Sequence, residues 1–154
     1  MKRFTLIALL SAVCLWTGIR DASAQHSVGI NAGYNLDAKE FFLGGQARFA
    51  PASLPVILNP SIETYFVDFT WLQIDINALY PFGSRNTTFT PYAGAGLGIN
   101  YVKPEGGDGD TDAGLNLLFG AEWGMSRLRP FTEARIVVDG EVGVGLRGGL
   151  LIGL

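Results

Sequence analysis

Along most of the chain after residue 24, apolar and polar residues alternate with a period of two. Around the stretch TPYAGAGLG, odd positions carry Phe89, Pro91, Ala93, Ala95, Leu97, Ile99 and Tyr101. Even positions carry Thr88, Thr90, Tyr92, Gly94, Gly96, Gly98 and Asn100. One face is apolar and the other small or polar, the alternation of a strand whose faces meet different media. The glycines do not fit G-x-G-x-x-G, and Ile99 to Val102 favours a strand over the helix that a phosphate loop requires.

The same rule holds in seven further segments. His26 to Leu36 sets Val28, Ile30, Ala32 and Tyr34 against Ser27, Gly29, Asn31 and Gly33. Phe41, Leu43, Ala47 and Phe49 oppose Glu40, Gly44, Gln46 and Arg48, with Phe42 out of step. Leu58, Ile62 and Phe66 oppose Asn59, Ser61, Glu63 and Tyr65. Leu72, Ile74, Ile76 and Tyr80 oppose Gln73, Asp75 and Asn77, with Trp71 and Leu79 diluting the polar set. Leu115, Leu117, Phe119 and Trp123 oppose Asn116, Gly120 and Glu122, with Leu118 breaking the rule. Leu128 to Val138 and Val142 to Leu154 complete the series, with Arg129, Phe131, Glu133 and Arg135, then Gly143, Gly145 and Arg147, on the polar side.

Turn signals separate these segments at Asp37 to Lys39, Pro51 to Pro55, Val67 to Phe69, Pro81 to Thr87, Lys103 to Thr111, Gly124 to Arg127 and Asp139-Gly140. The reading is all-β, with eight strands of a length suited to crossing a bilayer at a tilt.

The first 24 residues stand apart. Lys2 and Arg3 precede an apolar run from Phe4 to Trp16, and Ala22-Ser23-Ala24 forms a small-residue cleavage site, so 1–24 is expected to be a cleaved signal peptide and 25–154 one barrel domain. The only cysteine, Cys14, lies in that run, which leaves no thiol for disulfides, metal or nucleophilic chemistry. Removing Lys2, Arg3 and Arg20 from 11 basic residues and Asp21 from 14 acidic ones leaves 8 against 13, a formal charge of −5. An acidic chain argues against a nucleic-acid partner. Only 16% of residues are charged while 48% are apolar, yet no later stretch is long and apolar enough for a membrane helix.

Three features point to a transmembrane barrel with a polar interior over a soluble, lipocalin-like barrel. The glycine-rich face has too few charges to make a well-solvated surface. Bulky aromatics of the apolar face gather at strand ends, with Tyr34, Phe41, Phe66 and Tyr101 at one rim and Phe49, Tyr80, Phe89 and Trp123 at the other, as two girdles would. The polar face holds Arg48, Arg129, Arg135 and Arg147 with Glu63, Asp75, Glu122, Glu133 and Glu141, which can neutralise one another in a narrow lumen and would be expensive facing lipid. Glycines at 94, 96, 98, 143 and 145 would leave room for those side chains.

The signal peptide, the P-Y-x-G-x-G-x-G run at Pro91 to Gly98, the R-P-F-x-E-x-R strand at Arg129 to Arg135 and the G-x-R-x-G strand around Leu146 resemble the small eight-stranded outer-membrane β-barrels of Gram-negative bacteria, in the broad OmpA/OmpX-like class. The resemblance spans the whole chain after residue 24. It implies an eight-stranded antiparallel up-and-down transmembrane barrel in the outer membrane, monomeric, in contact with lipid and lipopolysaccharide. During biogenesis its partners would be periplasmic chaperones and the barrel-assembly machinery. Position 154 is leucine where such barrels usually carry an aromatic residue.

Candidate chemistry is sparse. Some barrels of this size modify lipid A, but the single histidine, His26, falls at the rim where the chain enters, away from an outer-leaflet substrate. Asp108, Asp110 and Asp112 alternate in GGDGDTDAG, yet Ala113 and Phe119 stand where a calcium loop needs glycine and a bidentate glutamate. The expectation is a non-enzymatic barrel without a cofactor, with a structural or small surface-protein role and an ionic lumen. The alternative is a narrow pore or a lipid- or small-molecule-binding barrel.

Overall fold

The structure, a computed structural model, describes residues 25–82, 88–124 and 127–154. The expected leader, 83–87 of the expected fourth turn and 125–126 of the sixth lie outside the described residues. The strands are β1 (Gln25–Asn35), β2 (Glu40–Ala50), β3 (Ile57–Tyr65), β4 (Thr70–Pro81), β5 (Phe89–Lys103), β6 (Asp110–Trp123), β7 (Leu128–Val138) and β8 (Val142–Gly153). Each pairs antiparallel with the next, and β8 pairs with β1 to close the barrel. Closure leaves no unpaired sheet edge, the condition a sheet must meet to cross a membrane.

Strand and turn boundaries follow the alternation closely, with one difference. The β5–β6 hairpin is longer than its polar composition suggests, since Val102 pairs with Asp110, Tyr101 with Thr111 and Asn100 with Asp112. The expected turn over Lys103 to Thr111 narrows to 104–109 because ladder hydrogen bonds continue where side chains turn acidic. Three turns take left-handed backbone, at Lys39 (φ 60°), Gly106 (φ 75°) and Gly140 (φ 108°). The first is supported by Asn35, whose Oδ1 accepts the backbone N–H groups of Asp37 and Ala38, both at 3.0 Å.

Burial is inverted relative to a water-soluble protein. Ile30, Ile76 and Leu97 on the outer wall are 66%, 65% and 64% exposed, whereas Asp75 and Glu63 inside are 0% and 1% exposed. A continuous apolar outer band of this kind suits hydrocarbon and would aggregate in water.

The residues that break the alternation have a common position. Phe42, Leu79 and Leu118 are fully buried in the lumen, together with Phe131 and Leu151. Leu79 and Leu118 cluster with Tyr92, and Ile57 packs against them. An eight-stranded interior is just wide enough for side chains, and these apolar ones fill the part of it that ions do not.

Candidate functional site

The strand pleat sends every second residue inward, and closure brings inward residues from all eight strands within reach. The inward charges form one connected chain along the lumen. Near the end where β1 begins, Arg129 lies 3.0 Å from Glu122, and Glu122 lies 2.6 Å from Arg48. Arg48 donates to the Tyr92 hydroxyl at 2.9 Å, and that hydroxyl donates to Glu133 at 2.9 Å. Arg147 then bridges Glu133 and Glu63, both at 2.6 Å, and Arg135 bridges Glu63 and Asp75, both at 2.7 Å.

Four arginines thus meet four carboxylates, and the lumen is electrically neutral. Neutrality matters here because an unpaired ion in a dry interior carries a desolvation cost of several kcal/mol. Glu141, also placed on the polar face by the alternation, lies exposed in the β7–β8 turn and takes no part.

Neutral side chains complete the network. Asp75 accepts from Gln73 at 3.0 Å, Asn116 at 2.9 Å and Ser61 at 3.4 Å. Arg135 reaches Gln73 at 3.2 Å, and Tyr65 donates to Gln73 at 2.9 Å. The Arg48 guanidinium sits 4.8 Å from the ring centres of both Tyr92 and Phe131, a cation–π sandwich. Tyr92, Tyr65, Gln73 and Asn116 were legible only as inward-parity positions, since an uncharged residue gives no sign of which ion it will meet.

The glycines divide into two groups. A Cβ at Gly94, Gly96 or Gly98 would collide with Leu79, Asn77 or Asp75 respectively, so these three are bare because the adjacent strand's side chains occupy their space. Gly143 and Gly145 differ: a Cβ there would meet nothing nearer than 3.7 Å. The expectation that all five make room for neighbouring side chains is corrected at these two, where the nearest atoms, Asp37 Oδ2 at Gly143 and the Tyr34 carbonyl oxygen at Gly145, stand at ordinary contact distance and leave the space of a methyl unfilled.

The rim aromatics all project outward. Tyr34 packs on Phe41 with ring centres 4.7 Å apart, and the Phe66 N–H donates to the Phe41 carbonyl at 2.9 Å. With Tyr101 these lie at the end bearing the β1–β2, β3–β4, β5–β6 and β7–β8 turns, the far end. Phe89 packs on Trp123 at 5.5 Å at the opposite, near end, where Phe49 and Tyr80 also lie. His26 is at the near end against the Phe49 ring, and its Nδ1 has no hydrogen-bond partner. Asp110 and Asp112 are exposed in the first residues of β6, and Asp108 in the turn before it. Among the described residues no three acidic or histidine side chains converge closely enough to hold a metal ion.

No protein-family model matches the chain, and no curated protein matches it by sequence. Solved structures do match. The N-terminal β-barrel domain of Pseudomonas aeruginosa OprF aligns with a TM-score of 0.72 at 13% identity, over 85% of this chain and 97% of that one. The fold is that of the small outer-membrane β-barrels. Neisserial surface protein A aligns at 0.61 and 21% identity over 84% of this chain and 94% of that one. Ail, the attachment invasion locus protein of Yersinia pestis, aligns at 0.59 and 14% identity over 84% and 96%. The likeness to these outer-membrane barrels lies in strand number, order and closure.

Proposed function

We propose that this protein is a non-enzymatic integral barrel of the outer membrane, closed to ions, whose role is to reinforce the envelope or present a small surface at the cell exterior. The observation that carries this reading is the pairing of an apolar outer wall with a neutral, continuous ionic lumen. The wall matches hydrocarbon, and the lumen needs no through-flow of water to satisfy its charges. The aromatic girdles at the two rims would sit at the two headgroup levels. Entry at the near end, from the periplasm, puts the four turns of the far end outside, and lipopolysaccharide around them.

The far end is strongly acidic. Of the 13 acidic residues after position 24, four lie in the lumen network and the other nine, from Asp37 to Glu141, are at this end with only Lys39 and Lys103 beside them. Ail has been crystallised with the heparin analogue sucrose octasulfate. The present far end would repel such a polyanion. Its turns are also short, the longest at that end being 104–109, which leaves little loop surface for adhesion.

Gel mobility of the protein from isolated outer membranes, with and without boiling in detergent, tests the reading. A membrane barrel fractionates there and shifts on boiling; recovery as a soluble periplasmic protein with no shift would overturn it. Planar-bilayer recording should then show no steady conductance.

A further inference from the structure

The outer wall is not smooth. A groove of about 1100 Å³ crosses it, against about 20 and 70 Å³ for cups at the two mouths of the lumen. Its floor is a row of small outward residues that the register sets side by side: Ala121 opposite Thr132, Thr132 opposite Gly148, and Gly148 opposite Ala32. Phe119 and Leu146, 55% and 51% exposed, line it on β6 and β8, and Phe41 and Phe66 line it at the far rim. Adjacent strands lie about 4.8 Å apart, so from β6 to β2 the groove runs about 19 Å. It descends obliquely, from Phe41 of the far girdle to Ala121, two residues from Trp123 of the near girdle. A row of register partners cannot run level where strands tilt by about 35–45°.

This inference rests on the membrane reading above, under which the groove faces hydrocarbon. Its filler must be slender and apolar. A second copy does not suit it: two convex barrel walls meet along a narrow strip, well short of the roughly 800 Å² per partner of a stable interface. An acyl chain is thin and flexible enough to follow an oblique groove, and gains more close contacts there than on a flat wall.

Charge decides where the lipid's head sits. The acidic far end would repel an anionic headgroup. At the near end, Glu122 is the one carboxylate side chain among the described residues, and Arg48 and Arg129 hold it. Arg127, in the β6–β7 turn, is exposed and forms no salt bridge among the described residues. Its carbonyl accepts the Gly153 N–H at 2.8 Å, which ties the turn to β8. The near end of the groove, at Ala121 and Thr132, is on the two strands that this turn joins. We propose that the groove holds one acyl chain of an anionic phospholipid of the near leaflet, with the headgroup at Arg127 and the tail running along the floor towards Ala32.

The test is native mass spectrometry of the purified full chain in detergent micelles, with dimyristoyl phosphatidylglycerol or dimyristoyl phosphatidylcholine added. Saturable retention of one phosphatidylglycerol per barrel is expected, preferred about fivefold over phosphatidylcholine, as one arginine beside an anionic headgroup supplies. Gly148→Leu, whose Cβ meets nothing nearer than 3.4 Å, should fill the floor and abolish retention of both lipids. Arg127→Gln should keep phosphatidylcholine retention and remove the preference. Both variants should still shift on boiling; if Gly148→Leu does not, Ala32→Leu fills the same floor from β1. A parent that shifts on boiling yet retains neither lipid overturns the proposal, and so does retention that survives the filled groove. A preference that survives Arg127→Gln overturns it by placing the head elsewhere. A dimer of the parent that Gly148→Leu abolishes overturns it by giving the groove to a second copy. A parent that does not shift on boiling overturns the membrane reading itself.

Discussion

Arg147 Nη1 lies 2.6 Å from Glu63 Oε1, across the lumen and 84 positions away in the chain. Its Nε lies 2.6 Å from Glu133, the residue directly opposite it on β7, so one guanidinium ties β8 to both a neighbouring and a distant strand. Arg147→Ala would leave two buried carboxylates short of a partner, and a loss of about 3–5 kcal/mol is expected. Urea unfolding in lipid vesicles measures it. Arg147→Lys should recover only part, since one ammonium cannot reproduce the fork.

Arg135 occupies the equivalent place between Glu63 and Asp75. Arg135→Ala should lower the temperature at which the gel-mobility shift occurs, again by the equivalent of about 3–5 kcal/mol. Unchanged stability would count against the ionic core as a source of it.

The two classes of lumen glycine should respond differently to alanine. At Gly98 the new methyl meets the Asp75 carboxylate and, at 3.2 Å, the Asn116 amide, so Gly98→Ala is expected to cost about 1–3 kcal/mol. At Gly143 the nearest atom is Asp37 Oδ2 at 3.7 Å, so Gly143→Ala should stay within about 0.5 kcal/mol of the parent. Equal effects in parallel unfolding experiments would contradict the packing difference.

Leu97 is near the middle of β5, 64% exposed, between Ile76 and Leu115 on the adjoining strands. In a bilayer Leu97→Arg is expected to cost about 2–4 kcal/mol, as charges do at the midplane of a barrel's lipid face. Unfolding in vesicles reads this directly. A soluble barrel would instead become more soluble and lose no stability.

Phe42 fills lumen space between Tyr65, at 5.3 Å between ring centres, and the Arg135 guanidinium, 5.5 Å from its ring. Phe42→Ala should destabilise by about 3–5 kcal/mol while conductance stays absent, because the Arg48-to-Asp75 ladder still blocks the lumen. A steady current in bilayer recordings of that variant would show that the aromatic, not the ladder, closes the barrel.

The sequence by itself determined the eight strands and the two media. A strand's side chains alternate strictly, so each segment carries its own record of which face is apolar, and short turns leave little choice but antiparallel neighbours. β7 runs from Leu128 to Val138 as the alternation reads it. What the sequence could not supply was partnership inside the lumen. That Arg147 meets Glu63, or that Tyr92 relays Arg48 to Glu133, depends on the stagger of strands around a closed barrel, a quantity spread over all eight registers and written in no single segment. The same holds for the apparent faults. Phe42, Leu79 and Leu118 break a local pattern, and only closure shows that they fill a core. Gly98 and Gly145 are alike as letters, yet Asp75 reaches one and no side chain reaches the other, because proximity across the lumen is decided by the tertiary fold.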